Sequence, residues 1–165
     1  MDNQNKSRLA DLIQRGGVFA GIPGTNPTEA LTNLLEVIPI PLSASRGELL
    51  KAVLEREALM STSIGYGIAL PHPRNPLISS DEEQFLIIAF LKNPVDWRAL
   101  DGIPVHTALL AVSSSAKQHL RTLSEINFFC RQESFRQLLL DRAPQERIIN
   151  AIREAEQAWK STTPL

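Results

Sequence analysis

With a single cysteine in 165 residues, the chain cannot close an internal disulfide, and Cys130 follows Phe128 and Phe129 inside a helical pattern. It reads as a small buried hydrophobe rather than a nucleophile, and low cysteine usage suits a reducing cytoplasm. Charge of one sign is missing too. Lys and Arg number 17 against 18 Asp and Glu, for a net charge of −1, so no global field draws in nucleic acid or an anionic membrane. No apolar run approaches the roughly 20 residues a bilayer requires, and the first residues carry no apolar core of a signal peptide. Glycine-rich chemistry is equally sparse. No Walker loop supports nucleotide binding, no Gly-x-Ser-x-Gly elbow supports serine hydrolysis, and no Cys/His cluster has zinc spacing. Asp96, Asp101 and the histidines would make a metal site only through proximity that spacing does not reveal, so no metal and no cofactor is expected.

What remains is an ordinary globular balance, 43% apolar and 21% charged, with length for one full core. Residues 1–165 therefore read as one domain, with disorder expected at 1–6 and 161–165. The helical spacing of Leu9, Leu12 and Ile13 predicts a helix over Lys6 to Arg15, closed by Gly16-Gly17. Val18 to Ile22 reads as a short strand. Asn26, Pro27 and Glu29 make a helix start for the stripe Ala30, Leu31, Leu34, Leu35 and Ile38. Ser45 and Glu48 open another helix, and Arg56 falls near its end on or beside the apolar face. There it serves the helix dipole or a bound anion.

Phe85 to Leu91 and Val105 to Val112 are apolar on both faces, as strands inside a sheet are. Asn93-Pro94 and Asp101-Gly102 signal turns between them. Ser113 to Ser115 offer caps for a helix with the stripe His119, Leu123, Ile126 and Cys130. Helices over Ser134 to Asp141 and from Pro144 onward follow, the last with Ile148, Ile152, Ala155 and Trp159 as its stripe. The pattern predicts an α/β fold whose sheet is covered by helices on both faces.

The stretch Leu54 to Pro76 carries the chemistry. His72 stands between Pro71 and Pro73, which fix the local backbone and remove two amide donors. A ring so confined suits an in-line transfer, although a rigid turn without a role would look the same. His119 falls in the first turn of its helix, where the dipole disfavours imidazolium and favours an anion. A backbone-bonded histidine at the core edge is the plain alternative. His106 reads as a strand-end residue outside the site. Ser61, Thr62 and Ser63, followed by Gly65 and Gly67, offer hydroxyls and amides to phosphate oxygens.

The segment R-E-A-x-x-S-T-x-I-G-x-G-I-A-x-P-H, Arg56 to His72, resembles the enzyme IIA domains of the bacterial phosphoenolpyruvate-dependent phosphotransferase system (PTS). The likeness is to the mannitol/fructose type, and closest to its nitrogen-regulatory members. It continues through PVDWRALDGIPVHTALLAV and HLRTLSEI and covers about Val18 to Ile152. The resemblance implies a three-layer sandwich around a small mixed sheet. It implies a phosphocarrier rather than an enzyme that turns over a small molecule. His72 matches the phosphoryl acceptor, His119 the second active-site histidine and Arg56 the arginine beside the phosphate, with Ser61 and Thr62 as further donors. An HPr-type phosphocarrier is the implied donor, and a IIB domain or regulatory protein the implied target, in the cytoplasm. Pro73-Arg74 departs from the small residue that many members carry after the histidine. It leans toward regulation, and it leaves open an interaction module that has lost phosphorylation.

Overall fold

The computed structural model describes residues 8–40 and 43–162. Its framework is a pair of central strands, β4 (Phe85–Val95) and β5 (Val105–Val112), running antiparallel with Ile87 opposite Leu110. Successive strand side chains point to opposite faces, and here both faces are apolar. Leu86, Ile88, Phe90, Leu109 and Ala111 belong to one core cluster, and Phe85, Ile87, Ala89, Ala108 and Leu110 to another. Two buried faces demand two helical layers.

The first layer comprises α1 (Arg8–Gly16), α4 (Ala116–Cys130), α5 (Glu133–Leu140) and α6 (Gln145–Thr162). Its wedge is the run Leu9, Leu12 and Ile13 from α1, packed with Ile126, Leu139 and Ile148. The second layer is α2 (Pro27–Val37) with α3 (Arg46–Leu59), through Leu31, Leu34, Leu35, Leu49 and Val53. Side-chain caps start these helices as expected: Asn26, Ser45 and Ser115 each accept from the amide three residues on. Cys130 is buried, and its thiol is pushed up to about 12 by desolvation, so it stays protonated and serves as core.

Three shorter strands complete the sheet: β1 (Gly17–Ile22), β2 (Ser63–Gly65) and β3 (Ile68–Ala69). The order is β1-β4-β5-β3-β2; β1 is parallel to β4 and β3 to β5, and the other two pairs are antiparallel. This is the α/β fold covered on both faces that the pattern predicts, and the three-layer sandwich around a mixed sheet that the resemblance implies. β2 and β3 form a hairpin whose tip, Gly65-Tyr66-Gly67, has φ of +88°, +58° and +75°. The carboxylate of Asp101 accepts from the Tyr66 amide and from the Ile103 amide, tying the tip to the following loop.

Some boundaries differ. Asn93-Pro94 does not turn the chain: β4 runs through it to Val95, with a register shift between Phe90 and Val95. A proline has no amide for the ladder, and an irregularity accommodates it. Asp81–Glu83 is a 3₁₀ turn capped by Ser80 rather than an open connector. α6 runs to Thr162, past the expected start of disorder at 161, and the remaining end residues lie outside the described ones, as do 1–7. On α6, Trp159 is 61% exposed instead of lining the core. The helix outlasts the layer beneath it, whose last fully buried member on α6 is Ile152. Trp159 packs edge-to-face on Phe128 instead, 5.5 Å between centroids. On α4, Thr122 and Phe129 join Ile126 and Cys130 in burial, and Leu123 is only partly covered.

Candidate functional site

β3 and β5 are parallel, so their C-terminal ends share one edge of the sheet, the place where parallel α/β units present ligand-binding groups. The chain leaves β3 through Leu70-Pro71-His72. The Ala111 amide of β5 donates to the Pro71 carbonyl at 3.2 Å and pins that exit. β5 leads through Ser113 to Ser115 into α4, whose fourth residue is His119. Topology thus brings two histidines 47 positions apart into contact, with ring centroids 4.7 Å apart and planes inclined by 46°.

His72 is only 8% exposed, and its Nδ1 lies 2.7 Å from the Leu70 carbonyl oxygen. A carbonyl can only accept, so Nδ1 carries the proton and Nε2 holds the lone pair. Burial disfavours the charged ring and lowers its pKa; the Leu70 hydrogen bond opposes this, and the positive charge of Arg56 reinforces it. His119 is half-buried, and its pKa is also lowered, by burial first and then by His72 and Arg56. Both rings are therefore neutral near pH 7, the form a nitrogen nucleophile needs.

Arg56 lies in the last turn of α3, where its Nη1 donates to the Met60 carbonyl at 2.8 Å. It thus satisfies the helix end, and it also acts electrostatically on both rings. The fold thus brings His72 and His119 into ring contact, with Arg56 near enough for its charge to act on both. The two hydroxyls are placed differently. Ser61 donates to the Trp97 carbonyl, and Thr62 donates to Glu57 Oε2 at 2.6 Å. Each hydroxyl has one proton, and both are committed inside the protein rather than held out to a phosphate. His106 sits at the opposite end of β5, bonded to Thr107 Oγ1 and packed under Gly67, away from the pair.

Two side chains near the site have no site role assigned from the sequence. Arg74, exposed, lines both a cavity of about 200 Å³ beside His119 and one of about 610 Å³ beside Arg56. Its position two residues after His72 was the available signal. Glu57 is buried at 5% exposure, which an Arg-Glu pair at a helix end does not announce. A further depression of about 410 Å³ between α1, α4 and α6 is lined by Phe128, Phe129 and Trp159 and holds neither histidine. Among the described residues no three metal-ligating side chains gather, and no helix is long and apolar enough to cross a membrane.

The family model for the phosphoenolpyruvate-dependent sugar phosphotransferase system, EIIA 2, matches residues 12–155. A nitrogen regulatory protein of Pseudomonas aeruginosa is 30% identical over 122 residues, covering 72% of this chain and 77% of that protein. A nitrogen regulatory protein of Bradyrhizobium diazoefficiens is 28% identical over 120 residues, 72% of this chain and 76% of that one. The crystal structure of nitrogen regulatory protein IIA-Ntr from Neisseria meningitidis superposes with a TM-score of 0.74 at 22% identity, covering 89% of this chain and 99% of that one, a likeness of fold. With its family model spanning both histidines and Arg56, this chain belongs to the EIIA type 2 family of the phosphoenolpyruvate-dependent phosphotransferase system.

Proposed function

We propose that the chain is a regulatory phosphocarrier of the cytoplasm, phosphorylated on Nε2 of His72. The observation that carries this is the His72 ring, held by Nδ1–H on the Leu70 carbonyl with His119 against it. The step balances without a cofactor. The Nε2 lone pair attacks the phosphorus of an HPr-type phosphohistidine protonated on its other ring nitrogen, the new N–P bond forms as the donor's breaks, and the donor leaves as a neutral imidazole that keeps that proton. The positive charge left on the His72 ring is met by the Leu70 carbonyl. Arg56 neutralises the equatorial oxygens, and His119 hydrogen-bonds or orients the phosphoryl group.

Exposed apolar side chains flank the site. Leu59 and Met60 at the end of α3 and Leu120 on α4 are each about two-thirds exposed, at 66%, 70% and 66%. They offer a carrier protein's surface somewhere to dock, and the downstream target is a IIB domain or a regulated protein. The nitrogen-regulatory relatives support regulation over sugar uptake.

The low exposure of His72, 8%, favours a second reading, an interaction module that is not phosphorylated. Incubation with phosphoenolpyruvate, enzyme I and an HPr-type donor separates the two. The phosphocarrier gains the mass of one phosphoryl group, and His72→Ala gains none. A wild-type chain that gains no mass is the module, and a gain that survives in His72→Ala removes His72 as the acceptor.

A further inference from the structure

Glu57 is a buried carboxylate to which the transfer step gives no task. Its Oε1 accepts the Thr62 amide at 2.9 Å and its Oε2 the Thr62 hydroxyl at 2.6 Å. The Thr62 oxygen in turn accepts Trp97 Nε1–H at 3.3 Å. Thr62 is thereby held at its amide and at its hydroxyl, in a site where it is 5% exposed and Trp97 1%. Its remaining backbone group, the carbonyl, accepts the Leu70 amide at 2.9 Å. The next bond along is the Leu70 carbonyl to His72 Nδ1 at 2.7 Å.

We propose that Glu57, acting through Thr62, is a positioning residue for His72: the chain Glu57–Thr62–Leu70–His72 fixes the ring's tautomer and aim. The physical ground is the one-sidedness of the terminal acceptor. A free neutral imidazole populates both tautomers, whereas a carbonyl fixed at hydrogen-bonding distance selects the one with the proton facing it. Selection lasts only while the carbonyl stays put. Leu70 lies at the exit of two-residue β3, which β5 holds one residue further on through the Pro71 carbonyl. Thr62, clamped between α3 and the Trp97 loop, holds Leu70 itself from the other side through its amide. Buried polar networks of this kind rigidify when every member is satisfied, and each named bond here has its partner. That the selected tautomer matters for transfer rests on the phosphocarrier reading; that Glu57 and Thr62 select it does not.

The full chain labelled with ¹⁵N-histidine is the material for the test. Long-range ¹H–¹⁵N spectra near neutral pH read the His72 tautomer, and acceptance from phosphorylated HPr-type donor is timed in parallel. Wild type shows the Nδ1–H form. Thr62→Val keeps the shape and removes the hydroxyl, so the Nε2–H form becomes populated and acceptance slows by roughly tenfold or more, the lower end of the loss when partners that orient a metal-bound imidazole are removed. Thr62→Ser restores both readouts. Should Thr62→Val fail to fold, Glu57→Gln replaces it, because an amide offers one acceptor oxygen where two are used. A folded variant that retains the Nδ1–H form overturns the proposal, even if acceptance slows, since the network would then serve stability alone. If wild type accepts no phosphoryl group, the phosphocarrier reading fails, and the tautomer spectra still decide the positioning role.

Discussion

At the scale of single residues, Arg56 has two duties that pull in one direction. Donation to the Met60 carbonyl closes the last turn of α3, and its charge lowers the pKa of both site rings. Arg56→Ala is expected to slow phosphoryl acceptance on the order of 10²-fold, the scale of losing one charge-stabilising donor. Arg56→Lys recovers the rate only in part, because an ammonium lacks the planar fork that matches phosphate oxygens. Equal rates in Arg56→Ala and wild type, timed with the same donor, would remove Arg56 from the site. His72 and Arg56 stand out locally in the sequence, one between prolines and the other on or beside the apolar face of its helix. Thr62 was legible as a residue but not as a role. A hydroxyl donates to a well-placed acceptor, and Glu57, five positions back, lies 2.6 Å away.

Among the elements, α4 matters most, since it alone carries His119 to the sheet edge. Its start is fixed by Ser115, which accepts from the Gln118 amide at 3.2 Å. Arg8 of α1 adds a clamp, donating to Gln118 Oε1 and Thr122 Oγ1, each at 2.9 Å. Ser115→Ala and Asn26→Ala each remove one cap and are expected to cost about 1 kcal/mol in denaturant unfolding. Only Ser115→Ala should also shift the His119 and His72 ring resonances, because α2 bears no site residue. Matching ring shifts in the two variants would show that α4's cap does not position His119. Helix starts were readable from their capping residues. The irregular continuation of β4 past Pro94 was not, because a turn dipeptide and a strand irregularity share the same composition.

For the molecule as a whole, the two-sided core and the neutral histidines set how stability depends on pH. Runs apolar on both faces foretold three layers, but the pairing of β3 with β5 that brings His72 to His119 depends on tertiary contacts no local pattern encodes. His72, His106 and His119 all have pKa values lowered below the ordinary 6.5, with burial as the main cause in each. Below pH 6.5 the unfolded chain binds protons that the folded chain resists, so this stability is fully present above pH 6.5 and is lost as pH falls. The urea midpoint is therefore expected to drop between about pH 7.5 and pH 5.5, and a midpoint that rises on acidification would contradict the burial of neutral rings. The same neutrality underlies the central claim, that His72 offers Nε2 while Nδ1 keeps its proton. After phosphorylation by phosphoenolpyruvate, enzyme I and an HPr-type donor, long-range ¹H–¹⁵N spectra of the ¹⁵N-histidine-labelled chain identify the modified nitrogen. Phosphate on Nε2 of His72 with Nδ1 still protonated is the predicted result; phosphate on Nδ1 of His72, or on His119, would contradict it.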